Sequence, residues 1–311
     1  MPPPLGDIPR VVPSEQPRKP FWLYPNLLSL DAPLVAVLWL YIFAKTWRVE
    51  YLPWVAYVSL ALIVWLVYVA DRLLDATMMT GPGTPKLEGR HEFHQRHQAK
   101  FKFVARIAAV AALVLVTAPL KIPLFGFVFR TGLPTGIYLY ALVGGLLVSG
   151  FFALSLFSSH DPNEIPYAKN VMAGIAFAYG TAMVAYVYTG FPMDELAYSP
   201  ELICFAVLCM LNISAIDLWE HARRHQDEEV KASDELALTL PLILLGTAAV
   251  IFAWKDDDLM NRPFFYAILT GAALLYILNR TRARFSADAL RVLADVALLA
   301  PILVFEASWK A

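Results

Sequence analysis

Nine runs of mostly apolar residues, separated by short polar segments, constrain this 311-residue chain more than any other feature. A helix needs about 20 such residues to cross the hydrocarbon layer of a bilayer. The runs extend approximately from Leu28 to Lys45, Leu52 to Asp71, Phe101 to Leu120, Leu133 to Ser155, Lys169 to Thr189, Pro200 to Glu220, Leu236 to Trp254, Pro263 to Asn279 and Ala287 to Phe305. They lack the two-residue alternation of a barrel strand, and in lipid a backbone polar group finds its partner within its own helix. The expected fold is therefore all-α, a polytopic membrane bundle of about nine transmembrane helices. Composition agrees, with 59% hydrophobic and only 16% charged residues, against about a quarter charged in soluble domains. A net charge of -1 provides no field that would draw the chain to nucleic acid.

Residues 1-20 are rich in proline and carry no apolar core, so they are expected to form a disordered tail ahead of a single transmembrane domain, residues 21-311. Lysine and arginine in short loops favour the cytoplasm. They concentrate in the tail, in the segment from Arg72 to Lys102, around Arg223, Arg224 and Lys231, and at Arg280, Arg282 and Arg284. This places the N-terminus in the cytoplasm and the C-terminus outside, with cytoplasmic loops at 72-100 and 218-235. A bacterial inner membrane is expected, because the start of the chain does not read as a transit peptide. Cys204 and Cys209 lie within one apolar run and read as buried hydrophobes.

On that topology the polar groups of the spans gather at the cytoplasmic end. Asp31 opens the first span, Asp71 and Asp75 close the second, Lys169 and Asn170 open the fifth, and Asn212, Asp217 and Glu220 close the sixth. Asp288, Arg291 and Asp295 open the ninth, the last two with the spacing of a buried ion pair. Ionisable groups in membrane segments are costly and usually face a cavity, pair with one another or mark a functional path. Groups from five spans at one depth point to a polar chamber open to the cytoplasm.

Asp71 and Asp75 are four residues apart and share a face if the second span continues as a helix. Their mutual repulsion is a local cost that a bound divalent cation reverses, which makes them the leading candidates; the competing reading is a helix end emerging into water, its carboxylates solvated or paired with Arg72. Asp217 and Glu220, followed by His221 and Arg224, form the second acidic cluster, with a solvated face as the competing reading. Mg²⁺ is commonly held by few carboxylates together with phosphate oxygens. The segment after the second span supplies cations for a diphosphate: Arg90, His94 and His97 fall on one stripe if helical, with His91 and Arg96 alongside. Lys169 reads as a phosphate contact or as a plain cytoplasmic anchor. Tyr68, Tyr179, Tyr186 and Tyr188 read as packing residues, or as walls of a cavity that shelters a carbocation.

These residues resemble the UbiA superfamily of intramembrane prenyltransferases. The resemblance lies in nine spans, acidic motifs closing the second and sixth, and a lysine opening the fifth in Ile165-Pro166-Tyr167-Ala168-Lys169-Asn170, and it covers roughly Leu28 to Phe305. The family's first motif normally begins Asn-Asp, where this chain has Val67 and Tyr68; its second carries aspartates four apart, where Asp217 and Glu220 are three apart. The chain thus looks like a divergent branch. The resemblance implies a Mg²⁺-dependent transfer of a polyprenyl group from its diphosphate to a small-molecule or lipid acceptor. Asp71, Asp75, Asp217 and Glu220 would hold metal, while Arg90, His94, Arg96, His97, Lys169 and Asn212 would bind substrate. The competing expectation is a non-catalytic relative that binds lipid, or a transition metal through His91, His94 and His97.

Overall fold

The computed structural model describes residues 20–78, 89–118, 121–124, 127–130, 132–157, 164–256 and 260–310. These residues form a helical bundle. After a 3₁₀ turn come α1 (Tyr24–Leu27), α2 (Asp31–Thr46), α3 (Trp54–Met78), α4 (Gly89–Arg96) and α5 (Gln98–Thr117). A short antiparallel hairpin, β1 (Lys121–Leu124) with β2 (Phe127–Arg130), separates α5 from α6 (Ile137–Phe157) and is the one departure from an all-helical chain among the described residues. Then follow α7 (Tyr167–Tyr186), α8 (Met193–Tyr198), α9 (Pro200–Arg224), α10 (Glu228–Lys255), α11 (Arg262–Thr281), α12 (Ala287–Leu299) and α13 (Pro301–Trp309).

Five of these helices are long and apolar enough to cross a membrane: Trp54–Asp75, Ile137–Phe157, Pro200–Arg224, Glu228–Lys255 and Arg262–Arg284. A sixth is added if Phe21–Leu27 and Asp31–Thr46, bent by 78°, form one broken span. The protein is thus a multi-pass integral membrane protein. Each of the nine expected runs is helical among the described residues, yet the count of crossings falls short of nine, for identifiable reasons. The helix α2 has only 16 residues, and α5 opens with Lys100, Lys102 and Arg106. Lys169, Asn170 and several Gly, Thr and Tyr residues dilute the apolarity of α7. The last run is broken where Pro301, lacking an N–H, ends α12 and starts α13.

Local signals set the ends that matter for the site. Ser199 caps α9 by accepting from the Leu202 amide at 3.2 Å, with Pro200 at the first helical position. Asp227 and Ser286 cap α10 and α12 in the same way. Their side-chain oxygens satisfy amides that the first helical turn leaves without partners.

The core lies between α2, α9 and α11. Trp39, Phe43, Phe205 and Phe264 are fully buried there, with the Trp39 and Phe205 rings stacked at 4.3 Å and the Trp39 indole donating to the Leu298 carbonyl at 2.9 Å. Side chains on the far faces of α5, α6 and α10, such as Leu113, Leu142, Leu146 and Leu244, are largely exposed. An apolar belt of this kind belongs against lipid. The helix α7 packs against both α3 and α9, so its first turn lies where the expected acidic clusters end.

Candidate functional site

The helix α3 runs on past the apolar segment to Met78, so Asp71 and Asp75 do share one of its faces. Across from them stands Lys169 in the first turn of α7. Its Nζ lies 3.3 Å from Asp71 Oδ1 and 3.5 Å from Asp75 Oδ1, and all three side chains are largely buried. Asp71 Oδ1 is buried and, apart from this ion-pair contact, accepts no well-directed hydrogen bond. Lys169 also sits 5.5 Å above the ring of Phe151, on α6. The next residue, Asn170, is buried and donates through Nδ2 to Asp217 Oδ2 at 2.8 Å. Two consecutive residues of α7 therefore join the acidic end of α3 to that of α9.

Glu220 does not join this group. Its carboxylate accepts from Arg291 of α12, at 2.8 Å through Nε, and from Arg224 one turn along α9 at 3.4 Å. Arg291 is buried and also reaches Asp288 at 3.2 Å. The three-residue step from Asp217 turns Glu220 about 60° away around the helix axis, towards α12 and away from α7. Asn212 is likewise a structural tie, because its Nδ2 donates to the Ala294 carbonyl at 2.8 Å and pins α9 to α12.

The expected basic stripe takes a different form. The helix α4 ends at Arg96, leaving His97 in the turn before α5. His94 is fully buried, its ring stacked 4.2 Å from Phe101 and its Nε2 3.4 Å from Ser29 Oγ, which gives it a packing role in place of a phosphate contact. His97 folds back on its own segment, with Nδ1 2.9 Å from the Phe93 carbonyl, and Arg96 is exposed. The side chains of Arg90 and His91 lie outside the described residues.

Tyr179 and Tyr186 are packing residues, each hydroxyl donating to a backbone carbonyl, of Tyr140 and Pro192 respectively. Tyr68 instead lines a small cavity between α2, α3, α7, α9 and α12, together with Val35, Phe177, Asn212 and Asp295. Its volume is ≈ 20 Å³, room for a water molecule and far too little for a prenyl chain. In place of the expected open chamber, the polar layer is packed and its groups pair with one another.

Could the carboxylates take Mg²⁺? Among the described residues no group of three or more His, Cys, Asp or Glu side chains is arranged to hold a metal ion. The pair Asp71 and Asp75 is nonetheless a two-carboxylate seat already turned towards one cationic atom, the Lys169 ammonium. That suits Mg²⁺, which needs only one or two protein carboxylates when phosphate and water complete its shell. Asp217 is held by Asn170 and is not grouped with that pair, and Glu220, held by two arginines, does not fit.

Sequence spacing does not give the pairing of two residues here. Asn170 opens the fifth run beside Lys169, but only the packing of α7 on α9 shows what it holds. Asp234, whose Oδ2 meets His221 Nδ1 at 2.7 Å across the turn from α9 to α10, has no spacing signal at all. No family model, no curated protein and no solved structure matches this chain.

Proposed function

We propose that the protein is a divergent UbiA-like prenyltransferase of the bacterial inner membrane, with its N-terminus in the cytoplasm. It transfers a polyprenyl group from its diphosphate to a lipid or small-molecule acceptor. The observation that carries this reading is the junction at the start of α7, where Lys169 faces Asp71 and Asp75 while Asn170 holds Asp217.

In this reading Asp71 and Asp75 hold Mg²⁺, with Asp217 nearby. Bound Mg²⁺ neutralises the charge that builds on the leaving diphosphate as the allylic carbon–oxygen bond breaks. Lys169 occupies the seat between the two carboxylates until the head group arrives, and its long stem then allows the ammonium to turn from carboxylate to phosphate. Asn170 fixes Asp217 and so sets the distance between the α3 and α9 carboxylates. The paired layer excludes bulk water, which protects an allylic cation from hydrolysis.

The test is binding of a radiolabelled geranylgeranyl diphosphate to the purified protein with and without Mg²⁺. Mg²⁺-dependent binding is expected, and Asp71→Asn or Asp75→Asn should weaken it at least roughly tenfold, as loss of a charged ligand at a partly buried site costs 1.4 kcal/mol or more. Binding that ignores both Mg²⁺ and these substitutions rejects the site. It would favour a second reading, a non-catalytic lipid-binding protein, in which Lys169 is the permanent counter-ion of the two aspartates.

A further inference from the structure

The helix α5 buries one narrow seam and leaves the rest of its surface outside the bundle. Phe101, Ala108 and Ala112 are buried, and the Phe101 ring stacks 6.5 Å from Trp65 of α3, the helix on which α5 packs. At about 100° per residue, the side opposite that seam is formed by Phe103, Arg106, Val110 and Leu113, with Lys102 and Ile107 on its flanks, and all six are exposed. Arg106 therefore stands in the middle of an otherwise apolar face, about 12 Å along the axis from Gln98. A cation facing lipid is costly unless it finds a counter-charge. Among the described residues the protein supplies none. The helix itself contains no Asp or Glu, and Asp71 and Asp75 of α3 are turned to Lys169. Lys100, Lys102 and Arg106 make no ion pair or hydrogen bond among the described residues.

We infer that this face of α5 holds one anionic phospholipid, whose phosphate accepts from Lys102 and Arg106 and whose acyl chains lie along Ile107, Val110 and Leu113. Side chains on a helix lean towards its N-terminus, and Lys102 lies one turn before Arg106 on the same side. The long arginine stem can thus cover apolar surface while its guanidinium reaches back to the level of Lys102, where the headgroups begin. A zwitterionic headgroup brings its own ammonium and would leave these cations uncompensated, so a headgroup with net negative charge, as in phosphatidylglycerol, is the one that fits. Lys100 adds to the same field. The inference depends neither on the transferase reading nor on which leaflet this end of α5 meets.

The test is native mass spectrometry of the protein released from nanodiscs of phosphatidylcholine that contain a minority of phosphatidylglycerol. The wild-type protein should retain phosphatidylglycerol in preference to phosphatidylcholine. Lys102→Gln and Arg106→Gln should each weaken that retention roughly fivefold, the effect of one cation at an anionic surface, and the double variant should retain the two lipids alike. Arg284→Gln, at an exposed cation beyond the end of α11, should change nothing. Millimolar inorganic phosphate should not displace the lipid, because a free ion lacks the acyl contacts. No preference in the wild-type protein, undiminished preference in the double variant, an equal loss in Arg284→Gln, or displacement by inorganic phosphate overturns the inference. All three side chains are exposed, so the variants keep the fold and each of these outcomes reports on the lipid.

Discussion

A lysine between two aspartates is the residue on which the polar layer depends. Lys169 is a counter-charge within 3.5 Å of both Asp71 and Asp75, and taking it away removes that charge from beside two partly buried carboxylates. Breaking a buried pair costs about 3–5 kcal/mol, and the residual exposure of these side chains lowers the expected cost of Lys169→Met to about 1–3 kcal/mol. Thermal unfolding in lipid nanodiscs should show this loss. Adding Asp71→Asn and Asp75→Asn to the same chain should recover most of it, since removing both sides of a pair strands no charge. Millimolar Mg²⁺ should recover part of it in the single variant alone, because a divalent ion replaces the missing ammonium. A triple variant no more stable than Lys169→Met would show that the lysine stem, and not its charge, matters.

At the scale of helices, α7 and α9 meet along a seam that sets the site. Gly174 lies one turn after Asn170, and Met210 lies two turns before Asp217, so the Gly174 to Met210 approach and the Asn170 to Asp217 hydrogen bond are two points on one line of contact. A Cβ at Gly174 would fall 2.4 Å from Met210 Cγ and 2.7 Å from its backbone nitrogen. A rotamer change can move the first atom but not the second. Small residues that let helix backbones approach are the usual device of membrane packing. Gly174→Ala should therefore cost about 1–3 kcal/mol and, by prising α7 from α9, weaken Mg²⁺-dependent diphosphate binding. Gly145→Ala on α6, where nothing lies within 4 Å of the added carbon, should be neutral or stabilise by up to about 1 kcal/mol. This seam also marks where sequence reading stops. Apolar length revealed the helices, and the i, i+4 aspartates and Lys169 could be read from spacing alone. The seventh apolar run opens at Leu236 while α10 opens at Glu228, because apolarity marks the membrane portion of a helix and not its capped start. That Glu220 turns to Arg291, and His221 to Asp234, depends on how α9, α10 and α12 pack, which no local pattern records.

Across the whole molecule, two polar layers flank the aromatic core. One holds Asp71, Asp75, Lys169, Asn170 and Asp217; at the other end, Asn261 donates to Glu201 at 3.1 Å and to Asp256, while Tyr41 donates to Glu306 at 2.8 Å. On the proposed orientation the first layer faces the cytoplasm, where lysine and arginine are enriched. The helices α7 and α9 run in opposite senses from it, which puts the short α8 on the external side and the turn between α9 and α10 on the cytoplasmic side. Cysteine labelling decides this cleanly, because the native Cys204 and Cys209 are buried and contribute little background. Asp194 on α8 and Glu228 at the start of α10 are both exposed. In intact cells a membrane-impermeant thiol reagent should modify Asp194→Cys and spare Glu228→Cys, and permeabilisation should make the two react alike. The opposite pattern would put the Asp71, Asp75 and Lys169 layer outside, away from the nucleotide-rich compartment in which free Mg²⁺ and prenyl diphosphates are maintained, and the transferase proposal would fall with the orientation.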